Sequence, residues 1–162
     1  MNEPKWLIIH HTGVNPAQSF EIINEYHRQK WDFISSLGYY IGYHYYIDVD
    51  GIVKQGRADT DEGAHCIGYN LKSLGICLAG NFDQILPNEA QIKSLKKLLL
   101  ELSLKYKIQF EQIVPHRKFA NKSCYGDMLE DEWASDLVAK TGIASLKKNQ
   151  IKDEIKGLVD LL

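Results

Sequence analysis

The apolar positions of this chain fall into short runs and helical stripes that alternate along its length. Trp6, Leu7, Ile8 and Ile9 form a run closed by His10-His11-Thr12-Gly13, which predicts a buried strand over residues 5–10. His10 then ends the strand and His11 begins the loop, so their side chains point different ways. Behind Pro16, Phe20, Ile23, Tyr26 or His27, and Lys30 follow at helical spacing and predict a helix over 16–30. Residues 43–49 are rich in aromatic and β-branched types and predict a strand. Asp50-Gly51 is a hairpin turn signal, and residues 52–55 return as the partner strand. The Asp48-Val49-Asp50-Gly51 run lacks the remaining ligands of a calcium loop and reads as that turn. Residues 56–74 show little periodicity and predict a long loop, which in a compact domain usually carries function.

A further buried strand is predicted over 75–80. Asn88 with Gln91 three residues on makes a capping-box start, and Ile92, Leu95, Leu98 or Leu99, and Leu102 carry that helix to about Tyr106. Residues 108–114 predict a short strand or extended approach to Pro115-His116. Residues 127–140 read as a helix with Met128, Leu129, Trp133 and Leu137 on one side. Beyond a break at Gly142, Leu146, Ile151, Ile155, Leu158 and Leu162 mark an amphipathic helix over 144–162. Buried strands between helices predict a single α/β domain over 1–143, with a mixed central sheet flanked by helices. The tail helix packs on that domain or serves a protein partner.

Composition narrows the function classes. A net charge of −2 over 162 residues supplies no electrostatic case for nucleic acid or an anionic membrane surface. No apolar run approaches the roughly 18–20 residues that span a bilayer. The N-terminus has no basic segment followed by an apolar one, so the chain is expected to be made in the cytoplasm without a signal peptide. Three cysteines are an odd number, and a disulfide framework is not expected. Cys66 and Cys77 read as buried small hydrophobes.

Cys124 differs because of its neighbours. His116 stands eight positions before it and Lys122 two before it. Imidazole nitrogen and thiolate sulfur are preferred zinc donors. Two donors make a poor site, and the third is sought at His10 or His11. If the fold joins them at the strand ends, the result is a three-ligand zinc with one open position, the catalytic arrangement.

Ile8-Ile9-His10-His11-Thr12, Gly42-Tyr43-His44-Tyr45-Tyr46-Ile47, Ala64-His65 with Gly68-Tyr69-Asn70, Leu74 through Phe82, and His116 with Lys122-Ser123-Cys124 occur in this order. Together they resemble the zinc-dependent N-acetylmuramoyl-L-alanine amidases, in the branch that includes small phage lysozyme-amidases and the peptidoglycan recognition proteins. The resemblance covers about residues 5–135. It implies one zinc per chain held by His10, His116 and Cys124, in a groove at the strand ends. It implies catalytic roles for Tyr43, in the Gly-Tyr-His strand, and for Lys122. His65 and Asn70 fall in a matching block and are candidates for the substrate groove, with a structural role the alternative for His65. His11 reads as loop-fixing, His44 as packing or a second-layer group, and His27 as ordinary. The implied substrate is peptidoglycan or a soluble muropeptide, cut at the amide between N-acetylmuramic acid and L-alanine. A lytic enzyme is the leading expectation. A cytoplasmic recycling amidase and a non-catalytic binding module of the same fold are the alternatives. Related non-catalytic modules typically lack zinc ligands, whereas all three candidates stand here. One departure concerns Tyr125, where the family has proline. It leaves the path of 125–130 open and lets a Tyr125 ring reach the groove edge.

Overall fold

The computed structural model describes residues 1–139. Its elements in chain order are β1 (Trp6–His11), α1 (Phe20–Trp31), β2 (Tyr45–Ile47), β3 (Val53–Gln55), β4 (Ser73–Leu78), α2 (Glu89–Tyr106), β5 (Ile113–Pro115) and α3 (Trp133–Ala139). The strands form one sheet in the order β3-β2-β4-β1-β5. β1 runs parallel to β4 and β5, β2 runs parallel to β4, and only the β2–β3 hairpin is antiparallel. This is the mixed α/β sheet that the pattern predicts. The predicted tail helix and the boundary at 143 lie outside the described residues. Among the described residues no helix is long and apolar enough to cross a membrane.

The two-residue period of β1 sorts its side chains between two cores. Leu7 and Ile9 join Leu95, Leu99 and Leu102 of α2 and Ala134 and Val138 of α3 on one face. On the other face Ile8 packs with Cys66 and Val114. There Phe20 of α1 also closes over Tyr46 and Cys77. Helices therefore cover both faces, as parallel strands require. From the long loop after β3, Cys66 and Tyr69 pack on the α1 face around Ile8, together with Trp6 and Phe119.

Where boundaries differ from the pattern, local hydrogen bonds explain it. β1 continues through His11, because its pairing with β4 runs to Leu78. α1 starts at Phe20 because the Ser19 hydroxyl caps it, accepting from the Ile22 N–H, and it ends where Asp32 turns left-handed at φ 48°. β2 begins only at Tyr45, since the Gly42 N–H donates to the His27 ring and the Gly42 carbonyl accepts from Ala64. α2 follows its capping box as predicted, with the Asn88 and Gln91 side chains each accepting from the other's backbone N–H. α3 starts later than predicted, at Trp133 and not at 127: Arg117 occupies the carbonyls of Gly126 and Leu129, and the Met128 N–H donates to the Phe82 carbonyl. Tyr125 does not reach the groove edge. It is fully buried, its hydroxyl directed at the Glu130 and Asp131 carbonyls at 2.7 and 2.9 Å and its ring edge-on to Trp133.

Asp59 ties α2 to the sheet. Its carboxylate accepts from the Tyr45 hydroxyl at 2.6 Å, the Tyr106 hydroxyl at 2.5 Å and the Lys105 ammonium at 2.8 Å. Burial opposes its charge, but the bonds from Lys105, Tyr106 and Tyr45 outweigh burial and hold its pKa below the usual value. A depressed carboxylate contributes stability above its unfolded pKa of ~3.9, and that contribution is lost as pH falls through the lower folded value. Asp59→Asn is therefore expected to cost about 1–3 kcal/mol at pH 7 and to flatten the acid limb of stability against pH. Urea unfolding from pH 7 down to pH 2 checks this, and parallel profiles for the two proteins would contradict it.

Candidate active site

Strand register builds the site. In the parallel β1–β5 pair, Ile9 lies opposite Pro115, so His10 and His116 emerge side by side at the strand ends. Their ring centroids are 4.5 Å apart. His10 also sits opposite Cys77 of β4, which centres it in the sheet. His11, one residue on, points to the other face, where its Nδ1 accepts from the Phe82 N–H at 3.0 Å. His10, not His11, thus faces His116.

The loop that follows brings in the third group. The Arg117 N–H donates to the Cys124 carbonyl at 2.7 Å, and the Arg117 guanidinium bonds Asp131, Gly126 and Leu129. These bonds fold residues 117–131 back on themselves. Cys124 Sγ then lies 3.6 Å from His10 Nδ1. One donor atom from each of His10, His116 and Cys124 falls within 4.8 Å of the other two. Tetrahedral zinc with ligands at ~2.0–2.3 Å sets its donors ~3.3–3.8 Å apart; the Cys124–His10 pair already stands at that separation, and the full set lies within about 1 Å of it. Burial, and then the positive Lys122, push the His116 pKa down to about 4. Burial, followed by the neighbouring His65 and His116, lowers His10 as well. Both imidazoles are therefore neutral at pH 7 and offer lone pairs. Burial pushes the Cys124 thiol up to about 11, so a thiolate here calls for a cation beside it. Two neutral imidazoles and one thiol that ionises against a cation suit a divalent soft or borderline metal.

The three residues line a groove of about 1100 Å³. Tyr43 and Lys122 line the same groove. The Tyr43 ring centroid lies 5.0 Å from that of His10. Burial, and then the adjacent Cys77 and Cys124, raise the Tyr43 pKa well above its ordinary value, so the phenol keeps its proton. Lys122 is exposed, on the loop between His116 and Cys124. His65 and Asn70 also border the groove. Asn70 Oδ1 accepts from the backbone N–H groups of His65 and Cys66 at 3.0 and 2.9 Å. His65 is buried, with its Nδ1 3.0 Å from His10 Nε2.

His44 lies deeper, its Nδ1 accepting from the Gly75 N–H and its Nε2 directed at the Asp61 carbonyl. His27 is buried and its Nδ1 accepts from the Gly42 N–H, yet its ring also lines the groove beside Tyr43 and Trp31. Sequence reasoning passes over two arginines. Arg117 closes the loop that carries Cys124. Arg57 is 1% exposed and donates to the carbonyls of Phe33, Ile41 and Glu62, fastening two walls of the groove. All but one of these bonds run to backbone carbonyls, which leave no motif in a sequence.

The N-acetylmuramoyl-L-alanine amidase family model matches residues 1–127. The chain belongs to that family. This amidase is 30% identical over 135 residues to the endolysin of Escherichia phage T7, covering 78% of this chain and 83% of the relative. Among solved structures, N-acetylmuramoyl-L-alanine amidase LysC from Clostridium intestinale URNW superposes with a TM-score of 0.74 at 29% identity, covering 88% of this chain and 87% of that one. Drosophila PGRP-LB superposes at 0.66 with 25% identity, over 88% of this chain and 82% of the other. The amidase's buried His-His-Cys cluster can hold a metal ion, and the family implies peptidoglycan as substrate.

Proposed function

We propose that this amidase uses zinc at His10, His116 and Cys124 to hydrolyse the amide between N-acetylmuramic acid and L-alanine in intact cell wall, as a lytic enzyme. The observation that carries the reading is the convergence of those three donors at the base of an open groove that also presents Tyr43 and Lys122. Its likeness to phage endolysins supports the lytic setting. The complete donor set supports catalysis over a purely binding role.

Bound there, zinc supplies Lewis acidity for the scissile carbonyl and acidifies water, whose pKa falls from 15.7 towards ~7. The protein's own groups do the rest. His10 and His116, held neutral by burial, keep lone pairs turned into the site. Lys122 places an ammonium where the carbonyl oxygen gains negative charge, and charge stabilisation of this kind is usually the largest catalytic contribution. Tyr43, protonated at neutral pH, orients water or donates a hydrogen bond to that oxygen and does not act as a base. The groove binds the glycan and stem peptide across the donors and limits water around them.

Purified enzyme incubated with cell wall is expected to release new L-alanine amino termini. Chelation should stop the release and added zinc should restore it. Bound zinc with no new termini on any wall type would sink the reading. Faster turnover on soluble anhydro-muropeptide than on intact wall would overturn the lytic assignment and favour a recycling enzyme.

A further inference from the structure

Nδ1 of His10 faces Cys124, and its other nitrogen meets a second histidine. We infer that His65 is a positioning residue that fixes the tautomer and the ring orientation of His10, so that Nδ1 presents a bare lone pair at the metal site. The inference rests on the zinc reading of that site and adds a residue outside the donor set.

Hydrogen-bond direction sets the tautomers. The Ser73 hydroxyl lies 2.7 Å from the Tyr69 carbonyl. A carbonyl can only accept, so the single hydroxyl proton points there. Ser73 Oγ therefore turns its lone pairs to its other neighbour, His65 Nε2 at 3.4 Å. That nitrogen must carry the proton. A neutral imidazole has one N–H, which leaves His65 Nδ1 as an acceptor. Its partner, His10 Nε2 at 3.0 Å, must then donate. His10 is left with its proton on Nε2 and a free lone pair on Nδ1, the atom 3.6 Å from Cys124 Sγ. The direction set at a backbone carbonyl thus passes through a hydroxyl and two rings to the donor atom. Metal-bound histidines generally have their second nitrogen anchored in this way, and the anchor fixes both tautomer and ring angle.

The surroundings are built for this ring. A Cβ at Gly75 would lie 2.6 Å from the His65 ring, and one at Gly63 would lie 2.5 Å from it. Both positions are glycine, so the imidazole can lie flat against β4 and reach His10. Asn70 grips the backbone at the same place, with Oδ1 on the N–H groups of His65 and Cys66. The His65 ring stands edge-on to His10 at 89° between planes, the geometry of an in-plane hydrogen bond and not of stacking.

Two measurements test it. Long-range proton–nitrogen NMR on the metal-free full chain at neutral pH reads each tautomer directly. The expected result is His10 and His65 both protonated on Nε2, and His10 protonated on Nδ1 would overturn the inference. Zinc affinity by chelator competition is the second. His65→Leu removes the acceptor and is expected to raise the zinc Kd roughly 10–100-fold, while His65→Asn, whose Oδ1 stands near the Nδ1 position, should recover most of that loss. Wild-type affinity in His65→Leu, or equal losses in both variants, would reduce His65 to a packing residue. If instead the wild-type chain binds no zinc, the metal reading itself fails, which is a separate result. Should His65→Leu not fold, the tautomers of the unmodified protein still decide.

Discussion

With zinc at His10, His116 and Cys124 as proposed, Cys124→Ser is expected to fold and to lose the metal. The path of the loop does not depend on the sulfur: the Arg117 N–H holds the Cys124 carbonyl, and the buried ring of Tyr125 anchors the next residue. What changes is the donor. A neutral hydroxyl is a far weaker ligand than a thiolate for a borderline-soft metal, and it gives up no proton to balance the ion's charge. Loss of an outer anchor alone typically costs 10–100-fold in affinity. Removing one of three donors must cost more, because His10 and His116 are left as two neutral ligands with no compensating negative charge. Zinc content after dialysis, read beside a thermal melt of the metal-free proteins, is the measurement. The expected pattern is wild-type melting with little retained zinc and an amidase rate near background. Full zinc stoichiometry in Cys124→Ser would mean that the third donor is another group.

How far the site could be read before the fold was known depends on how local each decision is. α2 was legible because its start is set within four residues by the Asn88 and Gln91 side chains. The hairpin at Gly51 was legible for the same reason, with φ of 80° suiting glycine. The choice between His10 and His11 was not local. A shift of one residue in a strand exchanges its faces, so spacing left His10 and His11 open; the resemblance pointed to His10, and the pairing of Ile9 with Pro115 sets it beside His116. The start of α3 failed because the Leu129 carbonyl, which a helix beginning at 127 would have used, bonds to a guanidinium twelve residues earlier. Tyr125 pointed inward because two carbonyls of the following turn await its hydroxyl. Arg57 and Arg117 act on backbone atoms, whose positions no residue pattern announces.

Lys122→Ala tests whether the groove acts as a low-dielectric site. The substitution should leave the metal in place, since Lys122 is exposed, lies outside the donor set, and its backbone bond to the Ala120 carbonyl is kept. Two sizes of effect can be distinguished. A unit charge ~4 Å from a developing oxyanion contributes about 1 kcal/mol in bulk water and about 4 kcal/mol at an effective dielectric of 20. At ~1.4 kcal/mol per factor of ten in rate, the first gives roughly a fivefold loss of kcat and the second several hundredfold. Removing one preorganised donor from an oxyanion site commonly costs about 10²–10³-fold, which matches the second. The groove is open to solvent in the absence of substrate, yet its floor is formed by buried histidines and by Tyr43, and a bound glycan and peptide would cover it. The expected result is therefore a loss of about 10²-fold or more in kcat with normal zinc content and little change in KM, because the charge acts on the transition state and not on the bound ground state. A loss of only fivefold would place Lys122 in contact with water during the reaction. Unchanged kcat would show that the lysine takes no part in stabilising the oxyanion.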